Sequence, residues 1–433
     1  MNIFSLKILL FLSLCLLSGC RRADSEKTTG IAVIDVINNI GNYQAVYVSE
    51  MISELEYIPL ETRENGLIGG VLGMIVTPSH IFIHEAEGGG GGGGMIVPGI
   101  SRLYTFSRDG RFICEIGRVG QGPGEYQNIN NFFIDDKNQL VYIETFRTLL
   151  EYSYDGVFRR SITKPLTLNE SSIDKIMFVR DNLFVGHCSN YRGNEPYTFL
   201  LFDDSGRVIK SFDNHVNFNR TGTGASSADN AMLPFRVSAS TYVKEVANDT
   251  LFRLNEQDEL IPQFVFDLGK YTISQHKRER TIGPQMDQSD YLMIPWIRTP
   301  MIGTPNYIFF SIFGFSSVGI PLPKGYREDL VAYELLGVYV ISNKKTRLLD
   351  ADPTGRIGLI NDLDGGFSFL PRYYTSGNEL VSFLQAYHMK ETLTEQYFSG
   401  RTIMNQQAHQ KLKELLKKLD YDDNPVIVIG KMK

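Results

Sequence analysis

The chain has 433 residues, a formal net charge of −6 and 12% aromatic residues. That length is ample for a large buried core. The acidic balance, without a basic patch or a nucleic-acid motif, speaks against DNA or RNA as a partner. The aromatics are 27 Phe and 22 Tyr against the single Trp296, a bias that suits half-buried strands.

The first residues, Met1 to Lys7, carry one lysine and no acid, and an apolar run follows from Ile8 to Leu17. This is the pattern of a signal peptide. The run is too short to span a bilayer, which takes roughly 20 helical residues. It ends in Leu17-Ser18-Gly19-Cys20, which resembles the bacterial lipobox. That resemblance implies cleavage before Cys20 and a lipid on its thiol. The expected organisation is therefore a signal peptide over 1–19, then lipid attachment at Cys20 with a polar tether over 20–30. Acyl chains would hold the protein at a membrane without a spanning helix. Arg21 is not the aspartate that retains lipoproteins at the inner membrane of enteric bacteria. The expected localisation is the cell envelope, at the outer membrane, facing periplasm or exterior. No later segment reaches about 18 uninterrupted apolar residues, so the body is expected to be soluble.

Within the body one pattern recurs: an apolar strand, an aromatic, two spacers, then Asp-Gly or a near equivalent. Its clear copies are 103–112, 149–158 and 199–208, and weaker ones are 251–260 and 337–346. Each reads as a hairpin, with Asp-Gly supplying the positive φ of a tight turn. Phe106, Tyr152, Phe202, Leu254 and Val340 correspond, at spacings of 46, 50, 52 and 86 residues. Periods near 45–50 with strands throughout signal propeller blades, each a four-stranded sheet. The long last gap holds a polar stretch from Tyr271 to Asp290, expected to be an insertion. Gly88 to Gly94 reads as a flexible loop within the first blade. Near the C-terminus Ile403, Ala408, Leu412, Leu415, Leu416 and Leu419 recur at helical spacing. A helix over about 402–420 is expected, its apolar stripe packed on the ring, with a strand from Val426 to Ile429.

Three segments carry a family resemblance. Leu55-Glu56-Tyr57-Ile58-Pro59-Leu60-Glu61-Thr62, then Gly117 to Tyr126, then Asp423-Asn424-Pro425-Val426 resemble the six-bladed β-propeller lipoproteins abundant in Bacteroidota. The glycine-rich segment is also similar to loops of NHL-type propellers. The resemblance covers about 31–433. It implies an all-β fold, a six-bladed β-propeller of four-stranded antiparallel blades, with a C-terminal helix. Blades are expected at 68–116, 126–162, 173–212, 230–268, 290–350 and 356–390. The last would be completed by the strand after Pro425 and by the region near Ile58, closing the ring. The family carries no agreed activity, so the resemblance implies a fold and leaves function open.

The chemistry-bearing residues read mostly as structural. Gly117 to Tyr126 lacks the GK[ST] ending of a phosphate loop and joins strand to strand. It reads as an inter-blade crossover from which Glu125 and Tyr126 could reach a ligand face. His80 and His84 lie on a strand, about 13 Å apart at roughly 3.3 Å per residue, too far for one ion. Asn361 to Gly366 lacks the later ligands of a calcium loop. No metal site and no cofactor is expected. Cys114 and Cys188 fit neither CxxC nor zinc spacing and read as free thiols on different strands. No HExxH or GxSxG motif occurs. Two functional readings follow. One is a binding or scaffold module for a glycan, peptide or envelope protein. The other is a lyase or hydrolase with its site in the central funnel, where polar residues from several blades need not form a sequence motif. The mark of the second would be His, Arg, Tyr and carboxylates converging at one mouth. His187, Tyr191 and Arg192 are the candidates for such a face.

Overall fold

The computed structural model describes residues 30–86, 101–167, 173–190, 193–217, 235–237, 240–245, 248–273, 296–315, 319–326 and 332–433. The chain divides at Ile31, and the second unit is Ala32–Lys433. The glycine run Gly88 to Gly94 and most of the 271–290 stretch lie outside the described residues. All six sheets belong to the second unit.

That unit opens with three strands, β1 (Ala32–Asp35), β2 (Tyr43–Gln44) and β3 (Ile52–Pro59). Five sheets then follow in chain order. The first is β4 (Val71–Val76), β5 (His80–Ala86), β6 (Ser101–Ser107) and β7 (Phe112–Glu115). The second is β8 (Asn131–Asp135), β9 (Leu140–Glu144), β10 (Thr148–Ser153) and β11 (Phe158–Thr163). The third is β12 (Asp174–Arg180), β13 (Leu183–His187), β14 (Tyr197–Asp203) and β15 (Val208–Asp213). The fourth is β16 (Phe235–Val237), β17 (Ser240–Val243), β18 (Thr250–Leu254) and β19 (Leu260–Asp267). The fifth is β20 (Trp296–Gly303), β21 (Tyr307–Phe315), β22 (Ala332–Val340) and β23 (Lys345–Leu349). Each is an antiparallel meander whose strands pair in sequence order. The sixth has the order β24 (Tyr373–Tyr374), β25 (Glu379–Leu384), β26 (Val426–Met432), β3. The fold is a six-bladed β-propeller, closed by pairing the last described strand with one of the first.

The side-chain period of two explains the ring. On a strand buried on both faces, successive residues serve opposite neighbours. Ile81 and Ile83 pack against Ile58, Val381 and Ile427 of the sixth blade. Phe82, between them, packs against Phe132 and Val141 of the second. Tyr142 faces Phe178 and Phe184 of the third blade, while Val141 and Ile143 face the first. Polar links add to these seams. Lys164 and Glu144, both fully buried, form a 3.1 Å ion pair. The same carboxylate accepts from the Ile176 amide of the third blade at 3.0 Å.

Closure rests on the β26–β3 ladder, where Ile427 pairs with Ile58 and Ile429 with Glu56. Asn424 secures its entry. Its carboxamide accepts from the Ile68 amide at 2.9 Å and donates to the carbonyls of Glu61 and Gly66 at 2.9 and 2.7 Å. The N-terminal segment does more than close one blade. β1 adds in parallel to β19, and β2 adds in parallel to β23. The fourth and fifth blades are therefore five-stranded, which the sequence reading had not included.

The recurring hairpins are the turns from third to fourth strand of blades one to five. Gly110, Gly156 and Gly206 adopt positive φ there, and Asp258 and Lys344 take the same conformation in the two weaker copies. Gly110 and Gly206 have a second reason to lack a side chain. A Cβ would collide with the Pro59 and Thr163 carbonyl oxygens, each near the end of the outer strand of the preceding blade.

The helical segment forms from Gln406 to Lys418, a few residues later than its apolar spacing suggests. Asn405 sets the start, its side chain accepting from the Ala408 amide at 3.0 Å. Just before it, the Met404 and Asn405 amides donate to the Asp362 and Leu363 carbonyls, which holds the entry extended. Leu412 and Leu419 are buried against Phe367, Met389 and Val426. Two shorter helices, Ala386–Thr392 and Glu395–Phe398, complete the insert between β25 and β26. β25 ends at Leu384 and the chain turns helical at Ala386.

Gly206→Ala is expected to destabilise the ring by about 2 kcal/mol or more. It adds left-handed strain of roughly 1–2 kcal/mol to the inter-blade collision. Urea unfolding followed by tyrosine fluorescence would measure it. A loss no larger than that of an exposed-loop Gly400→Ala control would contradict the inter-blade role.

Candidate functional site

Closing the ring leaves the innermost strands with an unpaired edge facing the axis. These edges line a channel cavity of about 1050 Å³. All six blades contribute, through β4, β8, β12, β16, β20 and β24. The volume suits a small-molecule or peptide site, and such sites combine apolar walls with a few placed polar groups. Leu72, Phe178, Phe235 and Met301 are among the apolar lining residues.

Charged residues on the lining include Asp135, Asp136, Lys137, Arg180, Arg236 and Arg372. Asp135 is the last residue of β8, and Tyr373 stands just before the Thr375–Asn378 turn. Arg236, at the centre of β16, carries its guanidinium 5.9 Å from the Phe178 ring centroid on the third blade. It is also within electrostatic reach of Asp135 on the second blade and Tyr373 on the sixth. One side chain thus senses three other blades, which places its charged end near the axis. Burial works against its charge and lowers its pKa, with Tyr373 and Asp135 opposing. Burial likewise pushes the Tyr373 hydroxyl up to about 12. The nearby carboxylates have partners: Asp135 accepts from the Asn138 side chain at 2.6 Å, and Asp136 accepts from the Tyr154 hydroxyl at 3.0 Å. The described lining residues include no histidine.

Glu125, Tyr126 and His187, singled out from sequence, are not on this lining. Gly117 to Tyr126 connects the first and second blades, and its acidic residue ties the loop to itself. Glu125 accepts from the Gly122 amide at 2.8 Å and from the Arg118 Nε at 2.7 Å. These two bonds hold its carboxyl below the usual range. Tyr126 does not face the channel: it is 2% exposed and packs with Ile116 and Tyr152 in the seam between blades one and two. His187 is fully buried, with Nε2 3.2 Å from Glu245 Oε1, joining blades three and four. Lys244 donates to the Glu245 carbonyl at 2.8 Å. Tyr191 and Arg192 lie outside the described residues. Glu125 and His187 serve different seams. Arg236, Tyr373 and Glu245 were not found from sequence. Each is a single residue on a different blade, and spacing within the chain gives no signal for their meeting.

Among the described residues, no three His, Cys, Asp or Glu side chains group as metal ligands, and Cys114 and Cys188 are not joined in a disulfide. No helix of the described residues is long and apolar enough to cross a membrane.

A family model described as a domain of unknown function, DUF4934, matches residues 31–431. No curated protein matches the chain. Among solved structures, the chain is similar to a candidate exported protein of Bacteroides fragilis, with a TM-score of 0.64 and 16% identity over 93% of this chain and 100% of that one. It is also similar to a DUF4221 family member from Bacteroides vulgatus, with a TM-score of 0.49 and 9% identity over 88% and 97%. A virginiamycin B lyase from Staphylococcus aureus gives a TM-score of 0.36 and 10% identity over 76% and 84%. At 16% identity the likeness to the first of these is one of fold.

His84, on β5, is the buried imidazole of the first blade. Its Nε2 lies 2.5 Å from Ser101 Oγ, and its ring meets Phe132 edge-on at 6.1 Å. Burial, with the Lys175 ammonium adding to it, lowers its pKa from 6.5 to about 4. The fold holds the ring neutral, so as pH falls the unfolded chain takes up this proton first. The cost is absent above about pH 6.5 and grows as pH falls toward 4, reaching about 3 kcal/mol. His84→Gln is expected to lose less stability than wild type between about pH 7 and pH 4.5 in urea titrations. Equal losses in the two proteins would remove His84 as the cause.

Proposed function

The chain belongs to the DUF4934 family, and within that family we propose that it is a lipid-anchored binding module of the cell envelope. Its central channel would hold a glycan, a peptide or a projecting segment of an envelope protein. The observation that carries this reading is the channel itself: about 1050 Å³, lined from all six blades, with apolar walls and charged side chains of both signs. Arg236, Tyr373, Asp135 and Asp136 meet on its lining, which supplies polar partners for such a ligand. The candidate exported protein of Bacteroides fragilis and the Leu17-Ser18-Gly19-Cys20 sequence support export and anchoring. Acylation at Cys20 would leave the ring free of the bilayer on the tether that follows.

Two measurements test the two halves of the reading. Metabolic labelling with an alkyne fatty acid is expected to mark the wild type in the membrane fraction. Cys20→Ala should lose the label and leave that fraction; persistence of both would reject the anchor. For the channel, thermal shifts of a chain beginning at Arg21 are expected to show stabilisation by one class of glycan or peptide. A ligand at about a hundred times its Kd adds about 2.7 kcal/mol. Met301→Trp, which narrows the channel, should abolish that shift while the ring still folds. A shift unaffected by Met301→Trp would move the site out of the channel.

A further inference from the structure

We propose that Arg236 and Tyr373 form an anchor for the carboxylate of a small, otherwise apolar ligand seated in the central channel. The inference rests on the channel-binding reading above and adds the charge and chemical class of the ligand.

Arg236 is an unusual residue for its place. An inner propeller strand sends side chains toward the neighbouring blades and the axis, where a charge is poorly solvated. The Arg236 guanidinium carbon lies 5.9 Å from the Phe178 ring centroid, a cation–π contact that uses none of its five N–H donors. Among the described residues it has no hydrogen bond and no ion pair. Other arginines at the ring's seams differ. Arg108 pairs with Glu379 at 3.0 Å, Arg160 with Glu151 and Asp204 at 2.9 Å each, and Arg347 with Glu50 at 2.7 Å. Tyr373, across the axis on the sixth blade, also keeps its hydroxyl without a hydrogen bond to a described residue. Two donors from different blades therefore face the same channel, with Asp135 in electrostatic reach of Arg236 but hydrogen-bonded to neither among the described residues.

A shared acceptor is best supplied by a carboxylate. A guanidinium fork matches two carboxylate oxygens in its plane, and the tyrosine hydroxyl can donate a third bond to the same group. Among the described lining residues, Lys137, Arg180 and Arg372 stand with Arg236 against Asp135, Asp136, Asp181 and Glu334, so no surplus of positive charge favours a dianion such as phosphate. A single negative charge on an apolar body fits both the donors and the walls.

The test uses the chain beginning at Arg21, which contains the whole Ala32–Lys433 unit, and three matched probes: decanoate, decanamide and decylamine. Calorimetry is expected to show decanoate binding at least tenfold tighter than either neighbour. Arg236→Met keeps the apolar stem and should weaken decanoate tenfold or more while leaving decanamide unchanged. Tyr373→Phe should weaken decanoate about threefold, and Met301→Trp should block all binding. Equal affinity for decanoate and decanamide in the wild type would overturn the carboxylate anchor and leave channel binding intact. A preference for decylamine would overturn it by assigning the site to Asp135 and Asp136. Decanoate binding that survives Met301→Trp would overturn both readings, and no binding of any probe would overturn the anchor alone. Should Arg236→Met fail to fold, the probe comparison on wild type and the Tyr373→Phe variant still decide.

Discussion

Each blade of this protein is a sheet with two apolar faces, and no single sheet can bury both. Phe82 and Ile83 are neighbours in sequence, yet they belong to different seams. A sheet built this way requires a partner on each side, and so does the partner, until the sixth meets the first. The pairing of β26 with β3 is thus the interaction on which the other seams depend. Without it the blades on either side would expose the Ile58–Ile83 and Val338–Val428 packing to water. The Asn424 carboxamide, with three bonds to the chain between β3 and β4, fixes the register at that joint. Buried amides left without partners cost about 1–3 kcal/mol each, so the joint is specific as well as strong.

The same geometry creates the channel. Inner strands have no partner on the axial side, so six edges enclose a space that the blades do not fill. Its chemistry comes from one or two residues per blade. Arg236, Tyr373 and Asp135 are far apart in sequence and are brought together only by the ring. Phe178, Phe235 and Met301 serve both an apolar core and the channel wall, and Tyr373 packs against another such core. Arg236 and Asp135 stand outside the apolar clusters, so substitutions at these two can alter what the channel holds with less cost to the ring.

Much of the architecture was legible because it repeats. The five hairpin copies all prove to be third strands, and their corresponding residues Phe106, Tyr152, Phe202, Leu254 and Val340 sit on β6, β10, β14, β18 and β22. The weaker copies kept the backbone conformation and lost only the glycine, since Asp258 and Lys344 adopt positive φ themselves. The parallel additions of β1 and β2 were not legible, because two- and four-residue edge strands carry no periodic signal. The Ala386–Thr392 helix follows a strand without a marked break in composition, and its apolar Ala386 and Met389 were too few to declare a period. The site was the least legible part. Glu125 and Tyr126 stood out through a distinctive glycine-rich loop, but the loop's distinctiveness serves its own folding. Arg236 stood in no motif, and its role depends on distances that only the closed ring defines.

The N-terminal strands have a consequence for how the molecule comes into being. β1, β2 and β3 are the first described strands to be synthesised, yet their partners β19, β23 and β26 come far later in the chain. Ile58 must wait for Ile427. Bringing such distant segments together costs loop entropy before any contact rewards it, which slows folding. During that interval β3 is an unpaired strand carrying Leu55 and Ile58, and the incomplete sixth blade offers a matching edge. An unfinished ring can find its missing strand on another molecule as readily as on itself, exchanging N-terminal segments between copies. The charged residues along β3, Glu54 and Glu56, meet the Lys431 edge by attraction and repel a second β3. Their placement steers the open ring toward its own last strand and away from stacking identical edges.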